Sequence, residues 1–262
     1  MATMAIDRAP RWCYSELAGK IDNFGVIMTT FVLVHGAYHG GWCWKHTAPL
    51  LQSAGHDVFT PTLTGLGERS HLASAAVNLD THIRDIVNLY DFEDLDDTVL
   101  VGHSYGGVVV SGVADQMPDR IKALIYLDAI VPRDGATVLD YQTSERRRQF
   151  EQLIEEGKGA PLPAPPSSFY GVTDPAEQKW ADDKCVPHPV GCFLQQSRLT
   201  GAGAAIARHA YIRCTDTELD YMEQFVEAAQ TAPGWDLHYL ETGHDCMITE
   251  PEALAALLLT YV

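Results

Sequence analysis

Residues 97–118, DTVLVGHSYGGVVVSGVADQMP, carry the reading that decides the fold. Asp97–Val101 is a short, mostly apolar run rich in β-branched residues, and it reads as a buried strand. Val108–Met117 reads as a helix closed by Pro118. Between them lies Gly102-His103-Ser104-Tyr105-Gly106, a G-x-S-x-G. A serine at so sharp a strand-to-helix turn is held in a strained backbone conformation, and its hydroxyl projects above the sheet edge. The flanking glycines let the turn close without side-chain clashes. Elsewhere the same spacing would be a structural turn. In this context it makes Ser104 a candidate nucleophile.

The pattern repeats on both sides of this unit. Phe31–Val34 reads as a strand, Trp42–Ala54 as a helix stopping at Gly55, and Asp57–Pro61 as a second strand. Residues 64–71 read as a polar loop, Leu79–Tyr90 as a helix and Ile121–Leu127 as the strand after the nucleophile helix. Alternation resumes with Ala210–Cys214 (strand), Leu219–Gln230 (helix), Leu237–Leu240 (strand) and Pro251–Tyr261 (helix). Strands alternating with helices predict an α/β fold, a mainly parallel sheet flanked by helices. Residues 133–205 break the alternation with a charged helix at Glu145–Glu156 and a proline-rich stretch at Pro161–Pro166. They read as an inserted helical lid, and Phe150, Phe169, Trp180 and Phe193 are more aromatics than a disordered linker carries.

One domain is expected over 28–262, with residues 1–27 as an extension outside the fold. Lys20, Asp22 and Asn23 interrupt the apolar core that a secretory signal needs. Of the 262 residues, 46% are hydrophobic and 20% charged, ordinary for a globular chain with a sizeable core. The net charge of -17 disfavours nucleic acid and anionic membranes as partners. No apolar run is long enough to span a membrane. The six cysteines show no metal-like spacing and read as reduced thiols of a cytoplasmic protein, with a Cys185–Cys192 bridge as the one pairing left open. The oligomeric state is left open, a homodimer included.

A serine hydroxyl needs a base. His244, in ETGHDCM after the last strand, has the chain position that this arrangement demands. The acid that orients it has two candidates. Asp128 ends the strand after the nucleophile helix, and Asp216 ends the next strand or caps the helix starting near Glu218. For an oxyanion, the Ala37 and Tyr105 N–H groups are the candidate donors. His35 and His39 stand four apart, but on a glycine-rich loop without a carboxylate, so no metal site is expected. No G-K-[ST] follows to make a phosphate loop, and no cofactor is implied.

The segments FVLVHGAYHGGWCW (31–44), PLLQSAGHDVFTPTLTGLGERS (49–70), VLVGHSYGG (99–107) and TGHDCMITEPEALAALL (242–258) resemble the α/β-hydrolase branch of plant methylesterases and hydroxynitrile lyases, its bacterial esterase members above all. The resemblance covers 29–262 except for most of the lid. It implies the α/β-hydrolase fold, Ser104 as nucleophile, His244 as base, and Ala37 and Tyr105 as oxyanion donors. The acid departs from the plant pattern. Where those relatives carry CTED, this chain has Cys214-Thr215-Asp216-Thr217, so the matching position is Thr217. YLDAIVP (126–132) instead resembles the strand end where haloalkane dehalogenases place their acid. Asp128 is therefore preferred and Asp216 is the alternative. Hydroxynitrile lyases use a threonine in the first-strand loop and a lysine after the histidine. Gly36 and Asp245 stand there, which argues against lyase chemistry.

The expected activity is hydrolysis of a small apolar or aromatic carboxylic ester through an acyl-enzyme. Tyr38, Trp42, Phe169 and Phe193 are the candidate substrate contacts. The alternatives are a hydrolase-fold binding protein with little turnover, and a hydrolase of lactones, amides or carbon–carbon bonds.

Overall fold

The computed structural model describes residues 28–217 and 219–262. The expected extension at 1–27 and the helix start near Glu218 lie outside the described residues. Six strands form one parallel sheet in the order β2-β1-β3-β4-β5-β6. They are β1 (Thr30–Val34), β2 (Asp57–Phe59), β3 (Thr98–His103), β4 (Ile121–Leu127), β5 (Arg208–Cys214) and β6 (Trp235–Leu240). The sheet reverses direction of build-up between β1 and β3, the switch point where α/β proteins place their sites.

Side chains alternate across the sheet, as the pleat requires. Phe31, Leu33, Val99, Val101, Ile125 and Ile212 enter one core, where Leu51, Leu254 and Leu258 cover them. Val32, Val34, Leu100, Leu124 and Tyr211 enter the other, under Ile83, Ile86, Val109, Val113 and Phe225. Burying each such aliphatic side chain is worth about 1.5–3 kcal/mol. The covering helices are α1 (Ala48–Ser53), α2 (Leu79–Phe92) and α3 (Gly106–Gln116), then α7 (Glu223–Thr231), α8 (Cys246–Thr249) and α9 (Pro251–Leu258) after the lid. Asn78 starts α2 with a reciprocal capping box to Thr81.

Several expected elements are corrected at their ends. Trp42–Ala54 is not one helix: a 3-10 turn at Gly41–Trp44 precedes α1, which starts beside Pro49, a residue suited to the first turn only. Residues 67–72 form a 3-10 turn rather than an open loop. β3 runs on through Gly102 and His103, so Ser104 follows the strand directly. A 3-10 turn at Asp220–Met222 leads into α7.

Between β4 and β5 lie α4 (Ser144–Glu156), α5 (Pro175–Asp182), α6 (Gly191–Leu194) and 3-10 turns at Val138–Tyr141, Ser167–Tyr170 and Ala202–Ala205. Phe193 and Tyr170 belong to the core. Cys185 and Cys192 are both free thiols, which removes the bridge left open between them. Among the described residues no helix is long and apolar enough to cross a membrane.

Candidate active site

Ser104 occupies the turn between β3 and α3 with φ +55, the left-handed region that a serine enters only at a cost of about 1–3 kcal/mol. Three backbone bonds hold it there. Its N–H donates to Leu127 O (3.2 Å), and its carbonyl accepts from Gly107 N and Ile130 N (3.1 Å each). The flanking glycines are required by space. A Cβ on Gly102 would lie 2.8 Å from Gly106 O, and one on Gly106 would lie 2.8 Å from both Val34 O and His35 O.

Asp128 follows β4 at φ +43, fully buried. Its Oδ2 accepts from His244 Nδ1 at 2.6 Å. Its Oδ1 accepts from Arg213 Nη1 at 2.8 Å and from Cys214 N at 3.3 Å. A carboxylate can only accept here, so Nδ1 carries the proton and Nε2 is left as the acceptor. Ser104 and His244 open onto one small cavity of about 40 Å³. No hydrogen bond joins the two among the described residues. Asp216, the alternative acid, is exposed, and its backbone N–H donates to Thr242 O (3.0 Å). Its side chain borders a different surface cavity, with Ser168, Gly171 and Thr173, so it does not take the place at the histidine ring.

Ala37 and Tyr105 line the same cavity as Ser104. Tyr105 is the residue that leads into α3, and neither N–H is taken by another protein acceptor among the described residues. Tyr38, Phe169 and Phe193 also line it, together with Tyr170, Phe150, Gln142, Arg146 and Tyr221. Trp42 does not. Its ring stacks on His39 (5.2 Å) and meets Trp180 edge-on (5.0 Å), a packing role that corrects its placement among the substrate contacts. A larger cavity of about 430 Å³ lies between α3, β4 and residues 199–209 and contains none of these residues.

Two buried ties hold the histidine loop. His103 Nε2 donates to His244 O at 3.0 Å. His39 donates from Nδ1 to Ala37 O (2.6 Å) and from Nε2 to Asp245 Oδ2 (3.1 Å). Burial works against a charge on His39, but the Asp245 carboxylate and these hydrogen bonds hold its pKa above the ordinary value. The His39–Asp245 pair thus links the loop bearing Ala37 to the loop bearing His244. Burial keeps His35, His82, His103 and His188 neutral, with His35 lowered to about 3 and His82 to about 4. His35 does not pair with His39 for a metal: its Nε2 accepts from Leu63 N and its Nδ1 faces Gly36 O.

Sequence reading missed Arg213, Arg146, His103 and the His39–Asp245 pair. Arg213 left a signal, a lone charge in the apolar strand AYIRC. His103 and Asp245 adjoin the candidate nucleophile and base, but nothing in their spacing shows that they meet.

This elbow, with a histidine on its cavity and a buried carboxylate behind that histidine, defines a hydrolase-type site on a doubly wound sheet. Residues 31–257 match the model of the alpha/beta hydrolase family, and the chain belongs to that family. It is 39% identical over 237 residues to a carbendazim hydrolyzing esterase of Nocardioides sp. (strain SG-4G), covering 87% of this chain and 97% of that one. It is 24% identical over 254 residues to putative methylesterase 14, chloroplastic, of Arabidopsis thaliana, covering 89% and 72%. Among solved structures, an extracellular alpha/beta-hydrolase from a Paenibacillus species superposes with a TM-score of 0.80 at 26% identity, covering 89% and 98%. That protein is described as sharing structural and functional homology with tobacco salicylic acid binding protein 2.

Proposed function

We propose that this chain hydrolyses small carboxylic esters through a serine acyl-enzyme. Ser104 Oγ attacks the ester carbonyl carbon while His244 Nε2 takes its proton. The Ala37 and Tyr105 N–H groups receive the oxyanion, at about 3–4 kcal/mol per donor in a dry pocket. The tetrahedral intermediate collapses, and the leaving alkoxide takes the proton from His244. Water then attacks the acyl-enzyme with His244 again as base, and the carboxylic acid is released with Ser104 restored. Asp128 keeps Nδ1 protonated and stabilises the imidazolium that forms in each half.

The observation that carries this reading is the 2.6 Å contact between Asp128 and the ring nitrogen of His244 opposite to the one left for Ser104. The esterase and methylesterase relatives support the ester as substrate class. Two features argue against a hydroxynitrile lyase. A Cβ at Gly36 would come 2.9 Å from Ser104 Cβ, leaving no room for a threonine on this backbone. Asp245, where a lysine would stand, is buried against His39.

The free thiols at Cys43, Cys185, Cys192, Cys214 and Cys246 support a reducing, cytoplasmic setting. The surplus negative charge supports a small-molecule substrate rather than nucleic acid or an anionic membrane surface. Steady turnover of a panel of aryl and methyl esters tests the reading. Binding without turnover would favour a carrier, and turnover of lactones or amides alone would move the substrate class.

A further inference from the structure

The cavity at Ser104 shares a wall with an outer chamber of about 200 Å³. Tyr38, Arg146, Phe150, Phe169 and Tyr170 line both. The outer chamber is completed by Gln149 and Leu153 of α4 and by Pro163 and Pro165, so the lid forms much of it. Among the described residues, Arg146 is the one permanently charged side chain lining either chamber; no carboxylate lines them.

The guanidinium of Arg146 is fixed but unspent. Its carbon lies 5.1 Å from the Phe169 ring centre and 5.3 Å from that of Tyr221. Its Nε donates to Gln142 Oε1 at 3.1 Å. The four remaining N–H bonds, on Nη1 and Nη2, have no acceptor among the described residues. The contrast with its neighbour is instructive. Arg147, one residue on, pairs with both Asp140 and Glu151. In a chain with 35 acidic against 18 basic residues, an arginine that faces a cavity without a carboxylate partner stands out.

We infer that Arg146 makes this site selective for esters that carry a carboxylate beyond the scissile bond. The inference rests on the ester-hydrolase reading and names its substrate class. A planar guanidinium held by aromatic contacts and a hydrogen bond loses little further freedom on binding, and its fork matches a carboxylate with two parallel hydrogen bonds. Apolar walls at Tyr38, Phe150, Phe169 and Tyr170 weaken screening and strengthen the pair. The scissile carbonyl sits at Ser104 in the inner cavity, while the anionic end reaches toward the outer chamber. A purely structural arginine, propping the lid against Phe169, would treat charged and neutral esters alike.

The test is a ratio measured within each protein. Monomethyl esters of succinic, glutaric and adipic acids are each compared with the methyl ester in which an isopropyl end replaces the carboxylate. The acetyl ester of 4-hydroxybutyrate and its isopropyl-ended counterpart cover a carboxylate on the alcohol half. For wild type, kcat/KM of the anionic member is expected to exceed that of its neutral match by about tenfold or more in at least one pair, mostly through KM. In Arg146→Gln the ratio for that pair should fall at least about tenfold, and Arg146→Lys should restore part of it. A wild-type ratio at or below one in every pair overturns the inference, as does a ratio unchanged in Arg146→Gln. Both results leave ester hydrolysis standing. If wild type cleaves no ester in the set, the ester reading falls and takes this inference with it.

Discussion

Asp128 holds His244 with one carboxylate oxygen and Arg213 with the other, at 2.6 and 2.8 Å. Both oxygens of a fully buried carboxylate are therefore committed, and the direction of the His244 ring follows from the strand ends of β4 and β5. Arg213 is itself anchored by Glu223 Oε1 at 2.8 Å and by the Cys214 carbonyl.

The two candidate acids should separate cleanly on amidation. Asp128→Asn preserves shape but removes the charge and permits the wrong imidazole tautomer. It should cost on the order of 10⁴ in kcat. Asp216→Asn, exposed and remote from the ring, should leave kcat within about twofold and stability within about 0.5 kcal/mol. Steady-state kinetics on one ester decides, and a large loss at Asp216 would reverse the assignment.

Arg213 should act through Asp128. Arg213→Met removes the partner of a buried carboxylate, which costs about 3–5 kcal/mol of stability in such pairs. The carboxylate is then free to shift, and kcat should fall by about a hundredfold with little change in KM. Partial recovery of kcat in Arg213→Lys would mark positioning. A variant that loses stability but keeps wild-type kcat would show that Asp128 holds the ring unaided.

Acid should unfold the protein through its neutral histidines. His35, His82, His103 and His188 are lowered from 6.5, chiefly by burial. Their folded pKa lies below the unfolded value, so the unfolded chain takes up protons first as pH falls. Stability is full above about pH 6.5 and is lost below it, at about 2 kcal/mol per histidine by pH 5 as an upper estimate. His39 works in the opposite sense, one group against these four and His209, which burial also lowers. The raised pKa of His39 contributes stability that is present below 6.5 and lost as pH rises through the folded value. The melting temperature should drop steeply between pH 6.5 and 5. A flat profile over that range would contradict the neutral cluster.

The parts of this structure that were legible in sequence are those written in local pattern. β-branched runs gave the strands, and the elbow glycines gave the turn that exposes Ser104. Asp128 was legible as a carboxylate just past a strand end and was preferred as the acid only through a resemblance, because a second aspartate, Asp216, lies two residues past β5. What separates them is register: Cys214 N donates to Asp128, while Asp216 sits beyond β5 in contact with Thr242. The arginines were harder. Arg146 looks like one of three consecutive arginines on a charged helix, and only the packing of Phe169 and Tyr221 turns it inward. Trp42 shows the reverse, an aromatic beside the first-strand loop in sequence that packs against His39 and Trp180 and does not line the cavity.

Covalent labelling reports on the nucleophile most directly. The intact protein is treated with a fluorophosphonate, digested, and mapped by mass spectrometry, with residual ester turnover measured in parallel. A single phosphonyl adduct is expected on the peptide that contains Ser104, with turnover lost in step with labelling. Ser104→Ala should take up no label and lose several powers of ten in rate. An adduct on any other residue, or ester hydrolysis that persists in Ser104→Ala, would show that this elbow is not where the chemistry happens.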